Sequence, residues 1–176
     1  LGIKSKGHDL SCPSMKKSLQ LNKRVILKVT DNFVDGATVN QIGEITFKTC
    51  RDVIDKIYTT PNGRICQEML SFYQNDGIVV EPAGAIPTSI LDDIPKKELE
   101  GKNIVCVLSG GNNDITRYPE VIERFLRYQE LKHYYIIEFG QKPGELRKFI
   151  NNILGPDDDI TRFEYIKKTN KSTGNV

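Results

Sequence analysis

Ile104-Val105-Cys106-Val107-Leu108 is an unbroken apolar run that ends abruptly in Ser109-Gly110-Gly111-Asn112. A short run of this kind, with Lys102-Asn103 before it and glycines after it, predicts a strand buried on both faces, and such strands belong to parallel sheets covered by helices. Open α/β sheets place ligands at the carboxyl ends of their strands. Two adjacent glycines let backbone approach a ring or a phosphate without an intervening Cβ, and Ser109 would aim a hydroxyl into the same crevice. The same residues equally suit an ordinary strand exit in which glycine only supplies positive φ.

The rest of the chain alternates in a way that suits such a sheet. Val25 to Val29 predicts a strand and Asp31 to Asp35 a turn. From Gly36 the apolar residues change to three- and four-residue steps, which predicts a helix running to about Ile54. Tyr58-Thr59-Thr60 is a short β-like stretch. Pro61-Asn62-Gly63 opens a helix carrying Ile65, Met69, Leu70, Phe72 and Tyr73 and stopping at Gly77. Ile78-Val79-Val80 predicts a buried strand, Ala85 to Leu91 a helix, and Pro95 to Gly101 a charged connector into the Ile104 strand. Tyr118 to Glu130 predicts a charged amphipathic helix with Pro119 in its first turn. A new unit begins at His133, with a strand over Tyr134 to Phe139, a helix over Pro143 to Leu154 and a second strand over Ile160 to Lys167. Helix and strand in this order argue for a parallel sheet with helical crossovers. The short final unit is too small to cover both faces of its strands, and an opening Leu1-Gly2-Ile3 without methionine reads as a strand cut from something longer, so the expectation is a fragment.

Composition narrows the function classes. The 176 residues carry 25 basic and 23 acidic side chains, a net charge of +2. No basic stripe points to nucleic acid or to an anionic membrane. No apolar window reaches membrane-spanning length and no leader pattern is present, so the expectation is a cytoplasmic protein. Cys12, Cys50, Cys66 and Cys106 are too widely spaced for a zinc site, and His8 and His133 have no ligand partner nearby, so no metal is expected. Cys50, Cys66 and Cys106 sit in apolar segments and read as core.

Three motifs in order carry a resemblance: Phe33-Val34-Asp35-Gly36 continuing to Gln41-Ile42-Gly43, then Val80-Glu81-Pro82-Ala83-Gly84-Ala85, then Val107-Leu108-Ser109-Gly110-Gly111-Asn112. Together they resemble the C-terminal half of the catalytic domain of the serine/threonine dehydratases that use pyridoxal phosphate. His133 to Phe139, Gln141-Lys142-Pro143-Gly144-Glu145-Leu146 and Leu154 to Tyr165 resemble the start of the ACT-like regulatory domain of the biosynthetic threonine dehydratases (threonine deaminases, threonine ammonia-lyases). The resemblance runs from about Gly2 to Thr173. It implies an α/β fold: a partial parallel-sheet domain of the tryptophan-synthase-β-like PLP fold over residues 1–116, a connecting helix over 117–130, and an incomplete ACT-like βαβ unit over 131–176.

The resemblance also implies roles. Ser109 corresponds to the hydroxyl that bonds the pyridine nitrogen of pyridoxal 5'-phosphate, Gly110 and Gly43 to backbone beside the ring, and Glu81 to a carboxylate near it. A neutral hydroxyl does not hold that nitrogen protonated, which suits rapid loss of a β-hydroxyl better than prolonged storage of charge. Glu81 also reads simply as an acid at the N-terminus of the helix after it. The implied reaction takes threonine to 2-oxobutanoate and ammonia in isoleucine biosynthesis. The family's Schiff-base lysine motif and its phosphate-binding glycine run do not occur in this chain, so no catalytic residue is assigned, the cofactor site is only partly present, and the chain alone is expected to be inactive. Phe139, Gln141, Pro143, Gly144, Glu145 and Leu146 form the implied effector site for isoleucine or valine, an amino-acid carboxylate at a helix N-terminus being physically sensible. The alternative is that Pro143 and Gly144 only shape the turn. Partners are then the threonine substrate and the effector, with a homo-oligomer expected because truncated sheet faces need covering. The other function class open to this sequence is a non-catalytic amino-acid-binding or interaction module.

Overall fold

The computed structural model describes residues 8–9, 12–138, 140 and 142–166. It divides into two units, Leu1–His133 and Tyr134–Val176.

The first unit is built mainly from helices. The one sheet among the described residues pairs β1 (His8–Asp9) with β2 (Thr59–Thr60), in parallel, with His8 opposite Thr59. The predicted Tyr58–Thr60 stretch therefore lies where a ladder forms. α1 (Ser14–Gln20) and α2 (Glu44–Val53) enclose a small cluster of Met15, Ile42 and Phe47. The larger core gathers around α3 (Asn62–Ser71), whose Ile65, Cys66 and Met69 are fully buried. Spacing of one and four residues puts these three on one face of the helix. Burying a side chain the size of Met69 stabilises the fold by about 2 kcal/mol. α3 continues into a widened turn over Phe72–Asp76 that ends at Gly77. There φ is +66°, a left-handed value that glycine adopts without Cβ strain.

α4 (Pro82–Ser89) follows, with Pro82 at its first position, where the missing N–H costs nothing. Ser89 closes it from inside: Oγ donates to the Ile86 carbonyl at 2.8 Å and pairs with Thr60 Oγ1 at 3.1 Å, both groups being buried. After a single helical turn, α5 (Lys96–Leu99), the chain passes through Ile104 to Asn113 and enters α6 (Tyr118–Tyr128) by way of a short 3-10 turn. α6 packs closely on α3 because Gly63 has no Cβ. One added there would lie 2.2 Å from the Tyr128 Cβ.

Several expected elements are absent from this arrangement. Val25–Val29, Ile78–Val80 and Ile104–Leu108 run without a strand ladder, and Val105 is 86% exposed where burial on both faces was predicted. An apolar run becomes a strand only when neighbours satisfy its backbone groups and cover its faces, and Ile104–Leu108 pairs with no strand among the described residues. The helix expected from Gly36 to about Ile54 is α2, which starts at Glu44. Residues before it spend their polar groups elsewhere: Thr38 N and Oγ1 both donate to the Val34 carbonyl, and Leu27 N donates to that of Asn40. Ile45, in the first turn of α2, is 83% exposed.

The second unit holds α7 (Glu145–Ile153), preceded by Gly144 at φ +90°. The helix predicted over Pro143–Leu154 is thus present. The flanking strands are not: 134–138 and 160–166 are irregular, and Phe139 and Lys167 lie outside the described residues.

Candidate functional site

Three motifs far apart in sequence meet at one corner of the first unit. Glu81 precedes α4 in extended conformation, with φ −77° and ψ 162°, because a residue before proline is pushed out of the helical region. Its N–H donates to the Gly110 carbonyl at 3.1 Å. Its carboxylate lies directly over Gly110, where an added Cβ would be 2.4 Å from Oε1 and 2.5 Å from Cδ. Gly84, one turn into α4, meets the other side of the same residue, since a Cβ on it would fall 2.6 Å from the Gly110 carbonyl oxygen. A Cβ on Gly111 would fall 2.9 Å from the Val79 carbonyl oxygen, and one on Gly36 would fall 3.3 Å from the Ala83 Cβ and 3.7 Å from Glu81 Oε1. Backbone oxygens close in on Gly84 and Gly111, so glycine there answers to close approach and not to positive φ, whereas the neighbour of Gly110 is the end of the Glu81 side chain.

Asn113 ties the corner together. Its Nδ2 donates to the Val80 carbonyl at 3.3 Å, its N–H donates to that of Gly111 at 2.9 Å, and its Oδ1 is buried without a hydrogen-bond partner. Sequence reasoning passed over this residue. Its signal was a second asparagine placed where a side-chain amide could bridge two neighbouring segments.

The structure brings Glu81 and Gly110 into contact and leaves Ser109, the next residue, exposed, its hydroxyl without a hydrogen-bond partner among the described residues. Gly43 stands elsewhere. It is the residue before α2, and the nearest atom to its missing Cβ is Thr46 Oγ1 at 3.4 Å, within the same helix. The donor set at the corner fits one wall of a pyridoxal phosphate site. Ser109 offers an uncommitted neutral hydroxyl, and Gly110 beside it lies under the Glu81 carboxylate.

In the second unit, Pro143, Gly144 and Leu146 line an open groove of about 640 Å³ together with Arg147, Ile150 and Asn151. Glu145 is engaged instead with Lys148 Nζ at 2.8 Å. Phe139 and Gln141 lie outside the described residues. Leu146 with Ile150 and Arg147 with Asn151 are pairs four apart, so the groove has an apolar edge beside a polar one.

Residues 2–110 match the family described as pyridoxal-phosphate dependent enzyme, and residues 123–176 match the C-terminal regulatory domain of threonine dehydratase. The biosynthetic L-threonine dehydratase IlvA of Halalkalibacterium halodurans is 54% identical over 164 residues, which cover 93% of this chain and 39% of that protein. The enzyme of the same name from Staphylococcus epidermidis is 48% identical over the same shares. The chain thus spans about 39% of the length of these curated relatives. Among solved structures, the processed form of threonine deaminase isoform 2 from Solanum lycopersicum superposes with a TM-score of 0.62 at 28% identity, over 69% of this chain and 34% of that one. Maize serine racemase superposes with a TM-score of 0.58 at 23% identity, over 69% and 40%, a likeness of fold.

Proposed function

The chain belongs to the family of pyridoxal-phosphate dependent enzymes, and from that premise we propose that its first unit supplies the ring-facing wall of a threonine ammonia-lyase, which converts L-threonine to 2-oxobutanoate and ammonia in isoleucine biosynthesis. The observation that carries the reading is the corner at Gly110, where Glu81 covers bare backbone beside the uncommitted Ser109 hydroxyl. The names of the relatives support it. Bound pyridoxal phosphate supplies an electron-withdrawing ring that drains charge from the α-carbon of the substrate. Ser109 offers the ring nitrogen a neutral hydrogen-bond partner, which leaves that nitrogen unprotonated and suits fast departure of a β-hydroxyl. The Glu81 N–H bond to the Gly110 carbonyl ties the two segments together and leaves the Glu81 carboxylate over Gly110, beside Ser109.

The domain reading is 1–116 as the C-terminal half of the catalytic domain, 117–130 as a connecting helix and 131–176 as the beginning of the ACT-like domain. The division of the fold after His133 and the two family matches support it. The second unit then takes isoleucine or valine, the aliphatic side chain against Leu146 and Ile150, the carboxylate toward Arg147 and the first turn of α7. A cytoplasmic homo-oligomer completes the reading.

The test joins the chain with a polypeptide bearing the lysine half from a relative. Threonine-dependent release of 2-oxobutanoate by the pair, and none by either part alone, is the expected result. A pair that binds pyridoxal phosphate yet releases no keto acid from threonine overturns the reading. The regulatory match and the groove favour a second reading, an amino-acid-binding module without catalysis. Isoleucine-dependent stabilisation of the chain, with no keto acid from the joined pair, would select it.

A further inference from the structure

Two arginines of the α6 region grip a loop whose far end forms part of the corner. Arg124 forks onto Asp31, Nη1 to Oδ2 at 2.5 Å and Nη2 to Oδ1 at 3.1 Å. Asp31 in turn accepts the Phe33 N–H at 3.0 Å and Asn62 Nδ2 at 3.0 Å. Arg117 Nη2 donates to the Phe33 carbonyl at 2.7 Å, and its Nη1 lies 3.8 Å from Asp35 Oδ2. The Phe33 ring, 3% exposed, packs against both guanidinium groups, which lie 4.4 Å and 5.2 Å from its centroid. Three residues further along is Gly36, where an added Cβ would lie 3.3 Å from the Ala83 Cβ and 3.7 Å from Glu81 Oε1, so the loop passes close beside that carboxylate. Arg117 follows Ser109–Asn113 within the next turn of chain, and Arg124 lies further along on α6. The stretch that carries the exposed hydroxyl therefore also reaches back to hold the loop lying beside Glu81.

We propose that Arg117 and Arg124 are positioning residues for the ring-facing corner: their hold on Asp31 and Phe33 fixes Gly36 beside Glu81 and thereby fixes the Glu81 carboxylate over Gly110. The purpose assigned to this clamp rests on the cofactor reading above; its geometry does not. A planar guanidinium engages both oxygens of a carboxylate at once, and stacks on an aromatic face while doing so. Lysine provides the charge without the fork. The side-chain substitution that preserves charge should therefore still release the loop.

Hydrogen exchange of the cofactor-free 176-residue chain tests this. In Arg124→Lys and in Arg117→Lys, exchange at the Glu81 N–H should accelerate by about tenfold or more, while that at Met69 in the core keeps its unmodified rate. A side chain that only stabilised the fold would move Glu81 and Met69 together, and that outcome overturns the proposal. So does faster exchange at Phe33 with Glu81 unchanged, which would show arginines anchoring no more than their own loop. Should either variant fail to fold, Asp31→Asn, which keeps the shape and removes the charge, is read by the same two criteria. No cofactor enters this experiment, so its failure leaves the role of Ser109 standing, and a failed keto acid assay leaves the clamp standing.

Discussion

The Glu81 N–H bonds the Gly110 carbonyl at 3.1 Å while the Glu81 carboxylate covers the α-carbon of the same glycine. One residue thus holds the end of the Ile104–Leu108 run by its backbone and shields it by its side chain. Glu81 stands at the N-terminus of α4 without capping it, since its side chain accepts no hydrogen bond from the first turn. The helix dipole favours an acid there. The carboxylate is nevertheless directed at Gly110, and a local helix-capping role does not account for that placement.

Substituting the glycines separates contact from conformation. Gly84→Ala brings a Cβ to 2.6 Å from a backbone oxygen, which cannot rotate away, and should cost about 1–3 kcal/mol as overpacking does. Gly43→Ala meets only Thr46 Oγ1 at 3.4 Å and should cost under about 1 kcal/mol, the preference for glycine over alanine before a helix. Urea unfolding of the two variants, with unchanged m-values, measures the difference. Equal losses would contradict the close approach.

The thiols should differ in reactivity by environment. Burial pushes the Cys66 thiol up to about 12, so almost none is thiolate near neutral pH, and its side chain is fully enclosed. Cys106 is half-buried, with Sγ 3.7 Å from the Pro87 carbonyl oxygen. A thiol-specific chromogenic reagent at pH 8 should modify Cys106 in the folded chain and reach Cys66 only on unfolding. Modification of Cys66 at the rate of Cys106 would show the core around α3 to open freely.

Helices were legible in the sequence because their evidence is local. Ile65 and Met69 are four apart, Gly77 stops the turn after them, and Pro119 sits where a missing N–H is harmless, whereas α4 starts at Pro82 and ends at Ser89 where Ala85 to Leu91 was expected. Strands were less legible because a strand is a relation between segments. Ile104–Leu108 has the composition of a buried strand, yet among the described residues it forms no ladder; Cys106 Sγ meets the Pro87 carbonyl and, just beyond the end of the run, Gly110 meets Glu81. The resemblance set Glu81, Gly110 and Gly43 beside one ring; in the structure Glu81 and Gly110 touch, while Gly43 stands at the start of α2 with only Thr46 Oγ1 near its missing Cβ. Arg124 lies on a helix that the sequence shows only as charged and amphipathic, and nothing near it announces an aspartate 93 positions away.

Asp31 gives the clamp a signature in pH. The Arg124 fork holds its carboxyl below the ordinary carboxylate range, assisted by the Phe33 N–H and Asn62 and opposed by burial. Arg124 is shared with Glu120 at 2.9 Å, so the pair titrates beside a second acid. A carboxyl whose pKa is depressed on folding binds its proton more readily in the unfolded chain, so its contribution is complete above the unfolded value of about 4 and is lost as pH falls through the lower folded value. The stability difference between the unmodified chain and Asp31→Asn should therefore be constant near neutral pH and shrink in acid. Arg124→Met should cost about 1–3 kcal/mol at pH 7 by stranding a half-buried carboxylate, and distinctly less in an Asp31→Asn background, the shortfall being the coupling between the two residues. Unfolding free energies of the four proteins across pH 3–7 measure both effects. A difference that stays flat to pH 3, together with additive costs, would mean that the fork seen in the structure contributes nothing to holding Phe33 and Gly36 in place.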